Sequence, residues 1–336
     1  MVEFAIQDEK ISLKRGSIKK IKPAKTYRDA PEETIHEIID LIETGTPWKE
    51  AVKTIVAGNS TWLYNIICHH SRTKFIEEYP LAPSEFILDI GAGWGQMTLP
   101  LAKSHRVCSL EPTPERLNFI QSVARQEKVD GNIYFLGADY LDVDFKTRFD
   151  RILCIGVLEW VGAFHDNNKP KIIQQQFLKK CKADLKTGGI LVIGIENRMG
   201  LKYLLGSRDD HIGMPNITCY HEELAHEKYT QATGRELRCL TYSLPEYKEM
   251  LQDAGFSKIK FYAATPDYKL PQAIYPIDDG KCQWNDQLNQ GNWVQQHDGV
   301  DGTLLTNQRE LQSHYQSLAA MNMAHYFAPS FYIRAS

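Results

Sequence analysis

The sequence is poor in the features that mark a secreted, membrane-spanning or zinc-knuckle protein. Its 336 residues include seven cysteines, an odd number at irregular spacing with no Cys-x-x-Cys pair. That argues against a disulfide framework or a zinc knuckle. No run approaches the ~18 apolar residues a membrane span needs. The stretch from Met1 to Asp8 lacks the basic-then-apolar order of a signal peptide. Neither sign of charge is in excess: 39 Lys+Arg face 42 Asp+Glu, a net of −3, so no global field draws the chain toward nucleic acid. What the chain does have is a 43% hydrophobic fraction, ample for a core and incompatible with disorder throughout. The expectation is a soluble, cytoplasmic protein of about two domains, or one large domain with insertions.

Positive charge gathers in the first segment, at Lys14, Arg15, Lys19, Lys20, Lys22 and Lys25. Residues 1–30 read as a basic N-terminal segment, with Phe4, Ile6, Ile11, Leu13, Ile18 and Ile21 spaced for a small hairpin turning near Arg15-Gly16-Ser17. From Pro31 the period becomes helical. Ile35, Ile38, Ile39 and Ile42 share a face that Gly45 ends, and helices over 48–57 and 60–78 complete a helical cap at 31–82. Residues 83–336 then alternate. Strands are predicted at 86–90, 105–111, 133–136, 149–155 and 190–195, with helices at 114–128 and 169–185 and a turn at Lys186-Thr187-Gly188-Gly189. Wholly apolar strands alternating with helices are the mark of an α/β fold, a parallel sheet covered on both faces. A helix over 244–254, a strand at 259–263, a helix over 308–323 and a last strand at 331–334 follow. Insertions interrupt them at about 197–243 and 265–325. The first shows no regular period, and the second is largely loop in which Trp284 and Trp293 are candidate anchors.

The informative stretch is Leu88-Asp89-Ile90-Gly91-Ala92-Gly93-Trp94-Gly95, a strand feeding a glycine turn. Ligands sit beyond the carboxyl ends of such strands, where glycine lets the backbone approach closely. A dinucleotide fingerprint needs Gly-x-Gly-x-x-Gly, but Gln96 stands at the third position and Gly95 comes one residue early. Asp89 would also face a pyrophosphate unfavourably, whereas it suits the ammonium and sulfonium of S-adenosylmethionine. On this reading Gly91, Ala92, Gly93 and Gly95 form the turn. Glu111, at the next strand end, accepts from the ribose hydroxyls, a contact that NAD enzymes share. Asp139 and Tyr140 hold the adenine amino group and ring face, and Gly156 gives backbone access after the fourth strand. An NAD-dependent oxidoreductase is the disfavoured rival.

These ordered elements make the chain resemble the class I S-adenosylmethionine-dependent methyltransferases, from Leu88 to about Phe261. The resemblance implies a Rossmann-like, mostly parallel seven-stranded sheet in which residues 329–334 supply the inserted antiparallel strand. A narrower likeness lies in Ile195-Glu196-Asn197-Arg198-Met199-Gly200, in Asp209-Asp210-His211, in Pro266-Asp267-Tyr268-Lys269-Leu270-Pro271, in Gly156-Val157-Leu158-Glu159-Trp160, and in Leu63-Tyr64-Asn65 with Arg72. Together they resemble a bacterial subgroup that occurs with glycosyltransferases and surface-polysaccharide assembly. The subgroup usually has Glu at Asp209 and Tyr at Trp160. The likeness implies a sugar, nucleotide-sugar or glycan acceptor, a glycosyltransferase partner, and substrate contacts at Asn197, Arg198, Asp210, Asp267, Tyr268 and Lys269.

Methyl transfer is an in-line displacement that asks mainly for positioning, plus a base for a hydroxyl acceptor. The candidate bases are His211, oriented by neighbouring Asp209 and Asp210, and Glu196 and Glu159 at two strand ends. Arg72 is a candidate for the donor's methionine carboxylate. His221 and His226 are five apart, missing the His-Glu-x-x-His spacing, so no metal site is expected there. Three alternatives stand beside a sugar methyltransferase: a methyltransferase of another small metabolite, a non-catalytic donor-binding partner of a glycosyltransferase, and a nucleic-acid methyltransferase. The last is disfavoured because Gly156-Val157-Leu158-Glu159 stands where an Asn-Pro-Pro-Tyr-type motif would follow the fourth strand.

Overall fold

The computed structural model describes residues 1–21, 25–165, 168–278, 281–282 and 308–336. The chain sorts into two compact units, Met1–Ile155 with Lys180–Val192, and Gly156–Lys179 with Ile193–Ser336. The first opens on a hairpin of β1 (Val2–Ile6) and β2 (Glu9–Leu13), paired Val2 to Leu13 and Ile6 to Glu9. Its turn lies at Gln7 and Asp8, not at Arg15-Gly16-Ser17. Both residues take positive φ, 47° and 69°, the geometry that matches the twist of a tight antiparallel pair. Beyond it, β3 (Ile18–Lys20) is an edge strand parallel to β6 (Ile133–Gly137).

Helix α1 (Glu32–Glu43) buries Ile35, Ile38, Ile39 and Ile42, the face its 3.6-residue period predicts. It is followed by α2 (Trp48–Val56), α3 (Thr61–Cys68) and α4 (Lys74–Glu78). The single helix expected over 60–78 is broken. His69 is extended, and its Nδ1 accepts the Ser71 N–H at 3.2 Å, so the chain restarts there as a 3₁₀ turn. These helices share a unit with the sheet strands β4 (Phe86–Ile90), β5 (Arg106–Leu110), β6, and β8 (Phe149–Ile155). The order β8-β4-β5-β6-β3 is parallel throughout, with β9 (Leu185–Glu196) beside β8. A two-residue β7 (Asp144–Phe145) pairs instead with β1. Helices α5 (Thr98–Leu101) and α6 (Pro114–Gln126) follow β4 and β5, and α7 (Pro170–Asp184) precedes β9. The turn expected at 186–189 lies inside β9, where a Cβ on Gly189 would meet Lys186 O at 3.0 Å, a local bend rather than a break in the strand. Every residue of β4 is buried, as is every residue of β6, so the glycine turn leaves a fully enclosed strand.

In the second unit the segment without sequence period contains α8 (Leu201–Leu204) and α9 (Glu222–Thr233), followed by α10 (Leu244–Asp253). Helix α9 escapes pattern reading because Ala225 is its only buried side chain, packed with Ile217 and Leu237. Antiparallel strands run in the order β12 (Lys281–Cys282), β11 (Ala273–Asp278), β10 (Ile259–Thr265), β13 (Ser330–Ala335). Helix α11 (Gln308–Ala320) leads toward β13. The seven predicted strands are thus β4, β5, β6, β8, β9, β10 and β13, with β3, β11 and β12 added. Trp284 and Trp293 lie outside the described residues. Among those described, no helix is long and apolar enough to cross a membrane.

Candidate active site

Asp89, the fourth residue of β4, is buried and receives the Thr98 hydroxyl at 2.6 Å. Thr98 also reaches Ser109 on β5, at 3.1 Å. Burial pushes the Asp89 carboxyl up to about 7, with Thr98 opposing, Glu111 adding to the rise and Arg72 opposing. Burial likewise raises Glu111, against Arg116 and the N–H groups of Thr113 and Gly93. Those two amides donate to its separate oxygens at 2.9 and 2.8 Å, which ties the glycine turn to the end of β5. Gly91, Gly93 and Gly95 all lie at positive φ, 62°, 57° and 79°, where a side chain is strained. A Cβ on Gly93 would meet nothing closer than 3.7 Å, so the turn's backbone face is open there. Ala92 is buried, its N–H bonded to Leu110 O.

Asp89, met by a hydroxyl, and Glu111, met by two amides with Arg116 3.9 Å away, lie by an open glycine turn as acceptors for a cation bearing hydroxyls. S-adenosylmethionine fits that description. The residues missed from sequence are the supports. Thr98 positions Asp89, while Arg116 lies 3.9 Å from Glu111 and is held by Asp29 at 2.5 Å. Asp29 also receives the indole N–H of buried Trp94. Nothing in local spacing links Asp29 to β5, since they meet only in the fold.

Two adenine candidates are corrected in part. Tyr140 is buried with its hydroxyl donating to Asp184 at 2.8 Å, and Lys180 Nζ sits 4.5 Å from its ring centre. It packs the interior and offers no face to adenine. Asp139 receives the Leu141 N–H at 2.9 Å, capping the 3₁₀ turn at 140–142 while remaining half-buried.

In the second unit the three base candidates converge. His211 Nε2 lies 3.6 Å from Glu159 and 3.5 Å from Glu196, and its Nδ1 is 3.7 Å from Asp209. Glu159 and Glu196 are each 1% exposed. Burial opposes charge on His211, but the carboxylates of Glu196, Asp209 and Glu159 hold its pKa well above the ordinary histidine value. Burial raises Glu196 to about 7, with Lys269 and His211 opposing and Glu159 adding. Asp209 fixes the loop by accepting the N–H groups of His211 and Ile212 at 2.8 and 2.9 Å. The edge of Trp160 meets the imidazole at 5.2 Å. Beside Asp209 is a cavity of about 40 Å³ walled by Ile212, Ile217, Leu237, Cys239 and Leu240.

Lys269, Asp210 and Asp267 belong to the same network. Lys269 Nζ donates to Glu196 and lies 3.5 Å from both Asp210 and Asp267. Lys202 and the Tyr203 hydroxyl reach Asp210 at 2.9 and 3.1 Å. Three other substrate candidates are corrected to supports. Asn197 is fully buried, donating to Tyr326 O and Ala328 O and accepting from Met199 N–H. Arg198 is spent on Thr218 O, Tyr220 O and Glu246, so it staples the 197–243 segment. Tyr268 is 1% exposed, with Tyr332 edge-on at 6.4 Å and Lys269 over its ring, so it presents no face to a sugar; its hydroxyl donates to Glu159 at 3.3 Å. Gly156 is corrected too. Its φ is +71°, and a Cβ would lie 2.8 Å from the Tyr268 hydroxyl, so the glycine accommodates this chain's own tyrosine.

Residues 87–189 match a family described as a methyltransferase domain. The ubiquinone biosynthesis O-methyltransferase of Coxiella burnetii is 28% identical over 134 residues, 40% of this chain and 53% of that one. The cyclopropane-fatty-acyl-phospholipid synthase of Escherichia coli is 33% identical over 87 residues, 26% of this chain and 22% of that one. The chain spans about half the length of the first of these curated relatives. Among solved structures, phosphoethanolamine N-methyltransferase 2 of Haemonchus contortus, in complex with phosphomonomethylethanolamine and S-adenosylhomocysteine, aligns with a TM-score of 0.41 and 13% identity over 79% of this chain and 51% of that one. The parallel strands β4 and β5, the glycine turn and the paired carboxylates fall in the stretch where residues 87–189 match that methyltransferase domain.

Proposed function

We propose that the whole chain is an S-adenosylmethionine-dependent methyltransferase acting on a hydroxyl of a small polar acceptor, of the sugar, nucleotide-sugar or glycan class. The observation that carries the reading is the convergence of His211, Glu159 and Glu196 in a buried network with hydroxyl-bonding side chains around it. The bound donor supplies a methyl group activated by its positive sulfur. Asp89 faces the donor's cationic groups, Glu111 takes its ribose hydroxyls, and Arg72 takes its carboxylate. The open backbone at Gly93 admits the donor's close approach. On the acceptor side, Glu196, with the charged His211 beside it, takes the hydroxyl proton, and Asp209 keeps the imidazole oriented. The sugar class is supported by the motif likeness at 195–200, 209–211 and 266–271.

The test incubates donor carrying a labelled methyl group with separate pools of free sugars, nucleotide-sugars, glycans, phenolic quinol precursors and acyl lipids. Label is expected in a sugar-bearing pool, and His211→Gln should lower kcat by ~10²- to 10⁴-fold with little change in donor affinity. Label confined to phenolic or lipid pools overturns the sugar class, and no label in any pool overturns the enzyme reading. A second reading, transfer to the hydroxyl of another small metabolite, is favoured by the relative named for ubiquinone biosynthesis.

A further inference from the structure

The arrangement of the buried cluster carries more than a proton acceptor requires. Each of three side chains is held through one atom while its other polar atom has no hydrogen-bond partner among the described residues. Tyr268 donates to Glu159 Oε1 and leaves Glu159 Oε2 unmatched. Lys269 donates to Glu196 Oε1 and leaves Glu196 Oε2 unmatched. Asp209 faces His211 Nδ1 and leaves His211 Nε2 without a hydrogen bond. Leaving even one such atom dry is costly, so three in one place require an account.

We propose that Glu159, Glu196 and His211 form a binding site for one divalent transition-metal cation of the Zn²⁺/Mn²⁺ class. One ligand atom from each residue lies within 4.8 Å of the others. His211 Nε2 is 3.6 Å from Glu159 Oε1 and 3.5 Å from Glu196 Oε2, close to the ~3.4 Å that tetrahedral bonds of about 2.1 Å place between ligand atoms. Two carboxylates and one imidazole form a three-ligand set that leaves a coordination position for an oxygen. The surrounding contacts include partners that metal ligands need: a carboxylate facing the far ring nitrogen and the Lys269 ammonium on the far oxygen of Glu196, while the Tyr268 hydroxyl holds Glu159 through Oε1. Charge points the same way. Five carboxylates (Glu159, Glu196, Asp209, Asp210 and Asp267) share the network with only two ammonium groups, Lys202 and Lys269. A neighbouring acidic group, Glu196 with Asp210 and Asp267, is of a different kind, because Lys269 already stands among its oxygens as the cation. No motif spacing announces the site, since its ligands come from three separate stretches of chain.

The inference goes beyond methyl transfer and is tested without donor or acceptor. The full chain is stripped with a chelator, then titrated with Zn²⁺, Mn²⁺ and Mg²⁺ by calorimetry. Loading with Co²⁺ provides a separate optical signature. The expected result is one equivalent of Zn²⁺ or Mn²⁺ bound, a raised melting temperature, and visible Co²⁺ d–d absorption. Glu159→Gln and His211→Gln should lose the saturable binding, and Asp209→Asn should weaken it by ~10- to 100-fold. His226→Ala, on α9, should bind as the unaltered chain does. The Co²⁺ spectrum of the unaltered chain keeps the test valid if a substituted chain fails to fold. Absence of saturable binding by any ion, or binding that survives both ligand substitutions, overturns the metal site. Methyl transfer by a chain that binds no ion removes this inference alone, and ion binding without transfer removes only the reading of the preceding subsection.

Discussion

Asp89 gives the sharpest prediction because its ionisation and the donor's charge are opposed partners. Its carboxyl sits at about 7, raised chiefly by burial, with Thr98 and Arg72 opposing and Glu111 reinforcing. A donor that binds the ionised form meets a ~9% ionised group at pH 6 and a ~91% ionised group at pH 8, about a tenfold gain in affinity. Calorimetric titration with S-adenosylhomocysteine and with S-adenosylmethionine at both pH values separates the sulfonium from the rest of the ligand. The gain should be larger for the charged ligand and should vanish in Asp89→Asn, any residual slope being the ligand's own amine. Stability moves the other way. A carboxyl whose folded pKa exceeds its unfolded value stabilises the protein at low pH, and that contribution is lost as pH rises from 3.8 through about 7. The interval corresponds to about 4 kcal/mol as an upper bound, at 1.36 kcal/mol per pH unit. Asp89→Asn should therefore melt higher than the unaltered chain at pH 8 while binding donor more weakly. A pH-independent affinity, or an identical slope in the variant, refutes the placement of Asp89 against the donor's charge.

Glu111→Gln keeps the shape of the strand end but weakens acceptance from two backbone amides and from the ribose hydroxyls. Donor affinity should fall by about tenfold or more, the loss of a charge-assisted hydrogen bond, read by the same calorimetry. Gly156→Ala places a Cβ 2.8 Å from the Tyr268 hydroxyl at a φ of +71°. It should cost about 2–4 kcal/mol in denaturant unfolding, from left-handed strain and overpacking together. The cost should shrink in a Tyr268→Ala background, and strict additivity of the two changes would show that the clash is not what holds Gly156.

The sheet was legible because its strands are built on apolar runs, and a strand such as Phe86–Ile90 announces both its burial and its end at glycine. Asp89 and Glu111 were legible for the same reason, as the charges at the ends of apolar runs. Tyr140 misled because position after a strand says nothing about which way a ring turns, and Asp184, forty-four residues on, is what draws it inward. Asn197 and Arg198 misled because they stand in a motif with true network members, yet their hydrogen bonds go to backbone oxygens of the same unit. The short α9 was hidden by a polar composition that buries only Ala225. The convergence of Glu159, Glu196 and His211 needed a sheet and a loop folded together, although each residue could be named singly.

The contrast among the acids of this protein, half-buried at Glu85 and Asp150 and buried at Asp89 and Glu196, shows how its candidate sites differ from its scaffold. Asp150, on β8, receives the Lys186 ammonium at 2.8 Å and the Phe86 N–H at 2.8 Å. Burial works to raise it, but these contacts hold its pKa below the ordinary value. Glu85 is likewise matched by both arms of Arg151, at 3.0 and 2.7 Å. Structural carboxylates here carry a full counter-charge. On the adjacent strand, Asp89 has a hydroxyl instead of a cation in contact, and Glu196, despite Lys269, remains raised to about 7. A fold that neutralises its other acids so thoroughly has bases available, and stability alone favours placing one beside each. The incomplete neutralisation at Asp89 and in the Glu159–Glu196–His211 cluster is the charge deficit that the two proposals draw on: a cationic donor at the first, and a proton or a metal ion at the second.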